Sequence, residues 1–144
     1  MKIVKRIMVA PAKTDALFIV RIIIGLWICW YGKDVFIPEW FQGRLISWKE
    51  EYGFSNPALM LYLSKGSEFL FGILLSLGFL TRISSFVLLV VLSVAVVIGQ
   101  SGHVFPYDKG EVTFFYWLFF LIFLFLGGGK YSLDSLIFKK GNEI

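Results

Sequence analysis

The sequence predicts an all-α integral membrane protein: a four-helix bundle, up-down-up-down, with a short amphipathic helix at the C-terminal end. Three observations carry that expectation. The 144-residue chain is 58% hydrophobic and 19% aromatic, with a mean hydropathy of +0.77, far from ordinary soluble composition. Four apolar segments, about residues 15–31, 57–80, 83–99 and 112–126, alternate with polar or glycine-rich breaks. Each approaches the ~20 residues that a helix needs to cross a bilayer core. Lys and Arg gather between and beyond these segments, so the net charge of +4 reads as membrane orientation and not as a nucleic-acid surface. At this length, residues 1–144 form a single membrane domain. Cys29 is the single cysteine, which leaves no intrachain disulfide and no paired-thiol redox motif.

Residues 1–14 form a basic tail with Lys2, Lys5, Arg6 and Lys13. Arg21 interrupts the apolar run that follows, and no small-residue cleavage motif comes after it, so the run is expected to be an uncleaved first span. Trp27, Trp30 and Tyr31 close that span and suit an interfacial belt. Residues 33–55 mix Trp40, Phe41, Trp48 and Tyr52 with charges and Pro38, which predicts an interfacial segment with a surface helix over 43–52. The second span ends at Gly78 and the turn Thr81–Arg82. So short a turn makes spans two and three an antiparallel hairpin. The third span is Val- and Leu-rich, with Ser85 and Ser93 on one side. The polar loop QSGHVFPYDKGE separates it from a Phe- and Leu-rich fourth span that stops at Gly127–Gly129. Ser132 is placed to cap a last short helix, with Asp134 in its first turn and Lys139 and Lys140 at its end.

The second span organises the rest, because it carries Lys65 and Glu68 near its middle. A charge at mid-bilayer costs about 2.5–3.5 kcal/mol on insertion scales, so such residues face a bundle interior. At helical spacing Ala58, Leu61, Lys65, Glu68, Gly72 and Ser76 share one small or polar stripe, opposite Leu, Phe and Ile. Counted from the ends of the two spans, Arg21 lies roughly 9 Å and Glu68 roughly 14 Å from the same edge. The expected arrangement pairs Arg21 with Glu68, with Lys65 sharing Glu68 or reaching outward. The pair serves either to fix helix register or to line a ligand or proton site. One excess positive charge suits an anion or a polarised carbonyl oxygen, such as that of a quinone. Candidate residues for such a polar core are Arg21, Lys33, Lys65, Glu68, His103 and Glu111. His103 with Asp108 and Glu111 is a thin ligand set, so no metal is expected.

Several residues together form a recognisable pattern: Arg21-x3-Gly25-x6-Gly32-Lys33, Glu68-x3-Gly72-x5-Gly78-x2-Thr81-Arg82, His103 with Gly110-Glu111, and the closing Gly127-Gly-Gly-Lys-Tyr-Ser-Leu-Asp134. Over about residues 15–138 this pattern resembles the DoxX family. Gly128 stands where many members have proline. The resemblance implies a four-helix membrane protein of prokaryotes. The family's namesakes are subunits of quinone-linked oxidoreductases, including thiosulfate:quinone oxidoreductase and a terminal quinol oxidase.

The positive-inside bias is expected to place both termini in the cytoplasm, and the prokaryotic setting that the resemblance implies makes the membrane an inner one. The expected function is a redox-associated membrane subunit that binds quinone or docks a partner oxidoreductase. The alternatives are a non-catalytic scaffold or assembly subunit, and a small-solute or ion pathway. Expected partners are the lipid bilayer and other membrane or redox subunits, or further copies of the chain; no nucleic acid is expected. No cofactor motif belongs to the chain itself, so any redox group beyond a quinone belongs to a partner.

Overall fold

The computed structural model describes residues 16–99 and 110–139. The regular elements among the described residues are all helical, without a strand. They form α1 (Leu17–Gly32), a 3-10 turn (Lys33–Phe36), α2 (Pro38–Tyr52), α3 (Pro57–Leu77), α4 (Thr81–Gly99), α5 (Gly110–Leu126) and α6 (Leu133–Lys139). By length and composition α3 and α4 can each cross a membrane. α1 and α5 are apolar but shorter, at 16 and 17 residues.

α1 and α3 form the tightest seam, with their backbones almost touching. A Cβ on Gly25 would fall 2.6 Å from the Ser76 nitrogen, and one on Gly72 would fall 2.7 Å from the Cys29 nitrogen. At the ends of the seam Arg21 meets Gly78, and Gly32 meets Glu68 and Phe69. The two helices are therefore antiparallel in a fixed register. The stripe expected on α3 faces this seam: Leu61, Glu68 and Gly72 are buried, joined by Leu75.

α3 turns into α4 through Gly78–Leu80. Gly78 takes φ +70°, and its N–H reaches the Leu74 and Leu75 carbonyls, a left-handed helix stop that glycine adopts without penalty. Leu80 also has positive φ, at 48°, a conformation that costs a non-glycine residue of order 1 kcal/mol. It is held there by Asp134, whose carboxylate accepts from Leu80 N at 2.7 Å and Thr81 N at 2.8 Å. Thr81 and Arg82 thus open α4 instead of forming the turn, because the capping group arrives from far along the chain. α4 then packs on α5, and Ile28, Leu75, Leu88, Leu92, Phe120 and Phe123 close the main core.

α2 starts at Pro38, five residues before the helix expected from the sequence. Proline occupies the first turn, where its missing N–H costs nothing. Phe41 packs with Val35 and Leu61, and Trp40, Leu45 and Trp48 rest against them. This fastens α2 over the start of α3. Outside the cores, Ile19, Ile23, Trp27, Trp30, Phe86, Val94 and Phe125 are all exposed, an apolar surface far larger than a water-facing monomer carries.

Candidate functional site

Two polar centres lie at opposite ends of the α1–α3 seam. At one end, Lys65 Nζ donates to Glu68 Oε2 at 2.7 Å, one helical turn apart. Glu68 is 4% exposed. The pair lines a cavity of about 420 Å³ between α1, α3, α4 and α5, together with Tyr31, Tyr116 and the apolar side chains of Ile28, Leu92, Ala95 and Val112. The two tyrosine rings meet edge to face at 6.5 Å. Lys65 also lies 5.9 Å from the Trp40 ring centroid, so α2 covers the outer side of the ion pair.

At the other end, Arg21 is 1% exposed. Its Nη1 donates to the Gly128 carbonyl and its Nη2 donates to the Tyr131 carbonyl at 2.8 Å. Gly78 presses against the same guanidinium. The closing segment is built around it. Ser132 Oγ accepts from Ser135 N at 3.2 Å and caps α6, while Asp134, in the first turn of α6, caps α4. The segment Gly127–Asp134 thereby ties α1, the α3–α4 turn and the end of α5 into one knot.

The expected Arg21–Glu68 pair does not form. Arg21 lies level with Gly78, ten residues along α3 from Glu68, or roughly 15 Å. Counting depth from the ends of the apolar runs aligned the wrong turns of the two helices. Lys65 takes Glu68 alone. Lys33 leans over the Trp30 ring at 3.7 Å, a cation–π contact on the outside of α1. Glu111 is in the first turn of α5, beside Val112 and Thr113 of the cavity wall. His103 and Asp108 lie outside the described residues.

Tyr31 and Tyr116 were not singled out as site residues. Tyr31 reads as the end of an aromatic belt, yet it stands three residues after buried Ile28 and so turns toward the bundle. Tyr116 is hidden among phenylalanines in the sequence, and only the packing of α5 brings it to the cavity that Glu68 lines.

The cavity offers a limited chemistry. An ammonium with three donors spends one on Glu68, and two phenols can donate or accept. Apart from Thr113, the rest of the wall is apolar: Ile28, Leu92, Ala95 and Val112. Such a site suits an uncharged, flat or slender molecule with a polar oxygen, and its volume falls within the usual range of about 300–1,000 Å³ for ligand pockets.

The DoxX family model matches residues 16–101, more than half of the chain. The match takes in α1 through α4 and leaves the closing glycine segment outside. An uncharacterized protein of Haemophilus influenzae is 38% identical over 86 residues, which are 56% of this chain and 64% of that protein. The chain thus spans less than two thirds of that relative's length. No solved structure matches. Arg21 on α1 and Glu68 on α3 both lie within the matched range, and with the family model covering more than half of it, this chain belongs to the DoxX family.

Proposed function

We propose that the protein is a four-helix, up-down-up-down subunit of a prokaryotic inner membrane, and that its cavity takes the head of a membrane quinone. The observation that carries this reading is the ion pair of half-buried Lys65 with buried Glu68, lining a roughly 420 Å³ space beside two tyrosines. The residues fit the group. Apolar walls accept a quinone ring, and the Lys65 ammonium and tyrosine hydroxyls can donate to its carbonyl oxygens. Glu68 holds Lys65 in place and is a proton acceptor at the same locus. When bound, a quinone supplies two-electron, two-proton redox chemistry. The chain's own part is to bind, orient and exclude water, and a partner oxidoreductase exchanges the electrons.

The test is solvent extraction of protein purified from native membranes, followed by titration of a short-chain quinone against thermal unfolding in detergent. Quinone is expected in the extract, and Tyr116→Phe is expected to weaken binding about tenfold, the value of one lost hydrogen bond of roughly 1.4 kcal/mol. That variant keeps the ring contacts. An extract without quinone, from a protein that no quinone stabilises, would sink the reading.

A scaffold role draws support from the second centre. Arg21 spends its hydrogen bonds on the chain's own carbonyls, so that end serves architecture. In that case the protein copurifies colourless with a non-redox partner.

A further inference from the structure

A groove of about 840 Å³ opens where α4 begins and α5 ends, at the opposite end of the bundle from the quinone cavity. It is lined by Arg82, Lys130 and Thr81 and by the apolar Ile83 and Leu126. We propose that this groove binds the phosphate of an anionic membrane phospholipid, with the acyl chains running down the α4–α5 face.

Four observations converge. Arg82 is exposed, and its Nη2 is tethered to the Phe125 carbonyl at 3.3 Å, which holds a guanidinium across the mouth. Lys130 adds a second cation on the same wall. The acidic member, Asp134, has both carboxylate oxygens engaged by Leu80 N and Thr81 N and faces the helix end. Thr81 is fully buried, and its hydroxyl has no hydrogen-bond partner, although it lines the groove. A buried hydroxyl without a partner costs about 1–3 kcal/mol, and a phosphate oxygen is an acceptor that relieves it.

The apolar part decides between a lipid and a free anion. Ile83 and Leu126 are each 54% exposed. One turn below them Phe86 and Ile122 are exposed in turn, and below those Val90 and Leu118, so two greasy tracks descend side by side. A soluble phosphate leaves those tracks unused. A diacyl phospholipid covers them while its head meets the cations, the pattern of basic pockets between membrane helices.

The groove and the cavity are separated by about ten residues of α4, roughly 15 Å. A failed quinone titration therefore leaves this proposal standing, and the reverse holds too. The experiment is native mass spectrometry and thermal unfolding of the delipidated, full-length protein. Its probes are phosphatidylglycerol and phosphatidylcholine of identical chains. At roughly fivefold per cation, the preference for phosphatidylglycerol should be about twenty-fold and should vanish in Arg82→Gln/Lys130→Gln. Thr81→Val keeps its backbone bond to Asp134. Without lipid it should be as stable as the parent or more so, yet it should gain less from phosphatidylglycerol. Equal binding of the two lipids, a preference that survives the double variant, or equally effective displacement by glycerol 3-phosphate would each overturn the proposal.

Discussion

Arg21 keeps its charge where only 1% of its surface meets solvent, and the groups that hold it are backbone carbonyls. That is why its partner could not be read from the sequence. A carboxylate announces itself as Asp or Glu, but a carbonyl acceptor looks the same at every residue, and only the conformation of Gly127–Tyr131 aims two of them at one guanidinium. The Lys65–Glu68 pair was legible for the opposite reason: both partners lie on one helix three residues apart, where the 3.6-residue period alone places them together. Two consequences separate the centres. Arg21→Lys retains charge but loses the fork that spans two carbonyls, and should cost about 1.5–3 kcal/mol, the worth of one hydrogen bond from a charged group. Arg21→Met and Glu68→Gln should be additive to within about 0.5 kcal/mol, because residues without shared partners at this separation do not couple. Thermal unfolding of the two single variants and the double variant in detergent measures both. A coupling above about 1 kcal/mol would restore the pairing that the geometry rejects.

Among the elements, the helices themselves were foreseeable, since long apolar stretches bounded by Pro57, Gly78 and Gly127 leave little choice of structure. Their junctions were not. α4 starts at Thr81 because Asp134, 53 residues later, supplies the cap, and α2 starts at Pro38 because a proline that looks like a breaker sits in a first turn. Asp134→Ala should therefore loosen α4, although the substitution lies in α6. Losing an N-cap costs about 0.5–2 kcal/mol, and here it also releases the strained Leu80. Amide exchange should quicken at Leu80 and Thr81 in that variant, and an unchanged rate would show that the turn holds without the carboxylate. The α1–α3 seam answers to a different substitution. Gly72→Val drives side-chain carbons into the Cys29 backbone, 2.7 Å from where its Cβ must lie. With backbone on both sides nothing flexible can yield, and the loss should reach the upper part of the roughly 1–3 kcal/mol range for overpacking. Gly66→Val on the same helix has open space around it. It should change stability only by the propensity difference, a gain of a few tenths of a kcal/mol.

At the scale of the whole molecule, the two polar centres and the two ends of the bundle imply an orientation. The end that holds Arg21, Arg82 and Lys130 continues in sequence to the basic residues of the 1–14 tail and to Lys139 and Lys140. The other end carries Lys33, Arg44 and Lys49 among aromatic residues. Short segments rich in Lys and Arg stay on the cytoplasmic side, so both termini should face the cytoplasm and α2 should lie against the outer surface. α2 suits that place: Phe41 and Trp48 turn inward, while Gln42, Arg44, Lys49 and Glu50 face away from α3 or lie exposed. Cysteine labelling reads the arrangement directly. Cys29, half-buried in α1, is first replaced by alanine. Single cysteines then go to exposed Glu50 and to Ile144. A membrane-impermeant maleimide added to intact cells should modify residue 50 at once, and residue 144 only after the membrane is opened. Reaction of both before lysis, or of neither, would mean an even number of crossings between the two sites, and reaction of residue 144 alone would mean an inverted bundle. In an inverted bundle the Lys65–Glu68 cavity, which lies toward the α2 end beside Trp40, would lie nearer the other compartment.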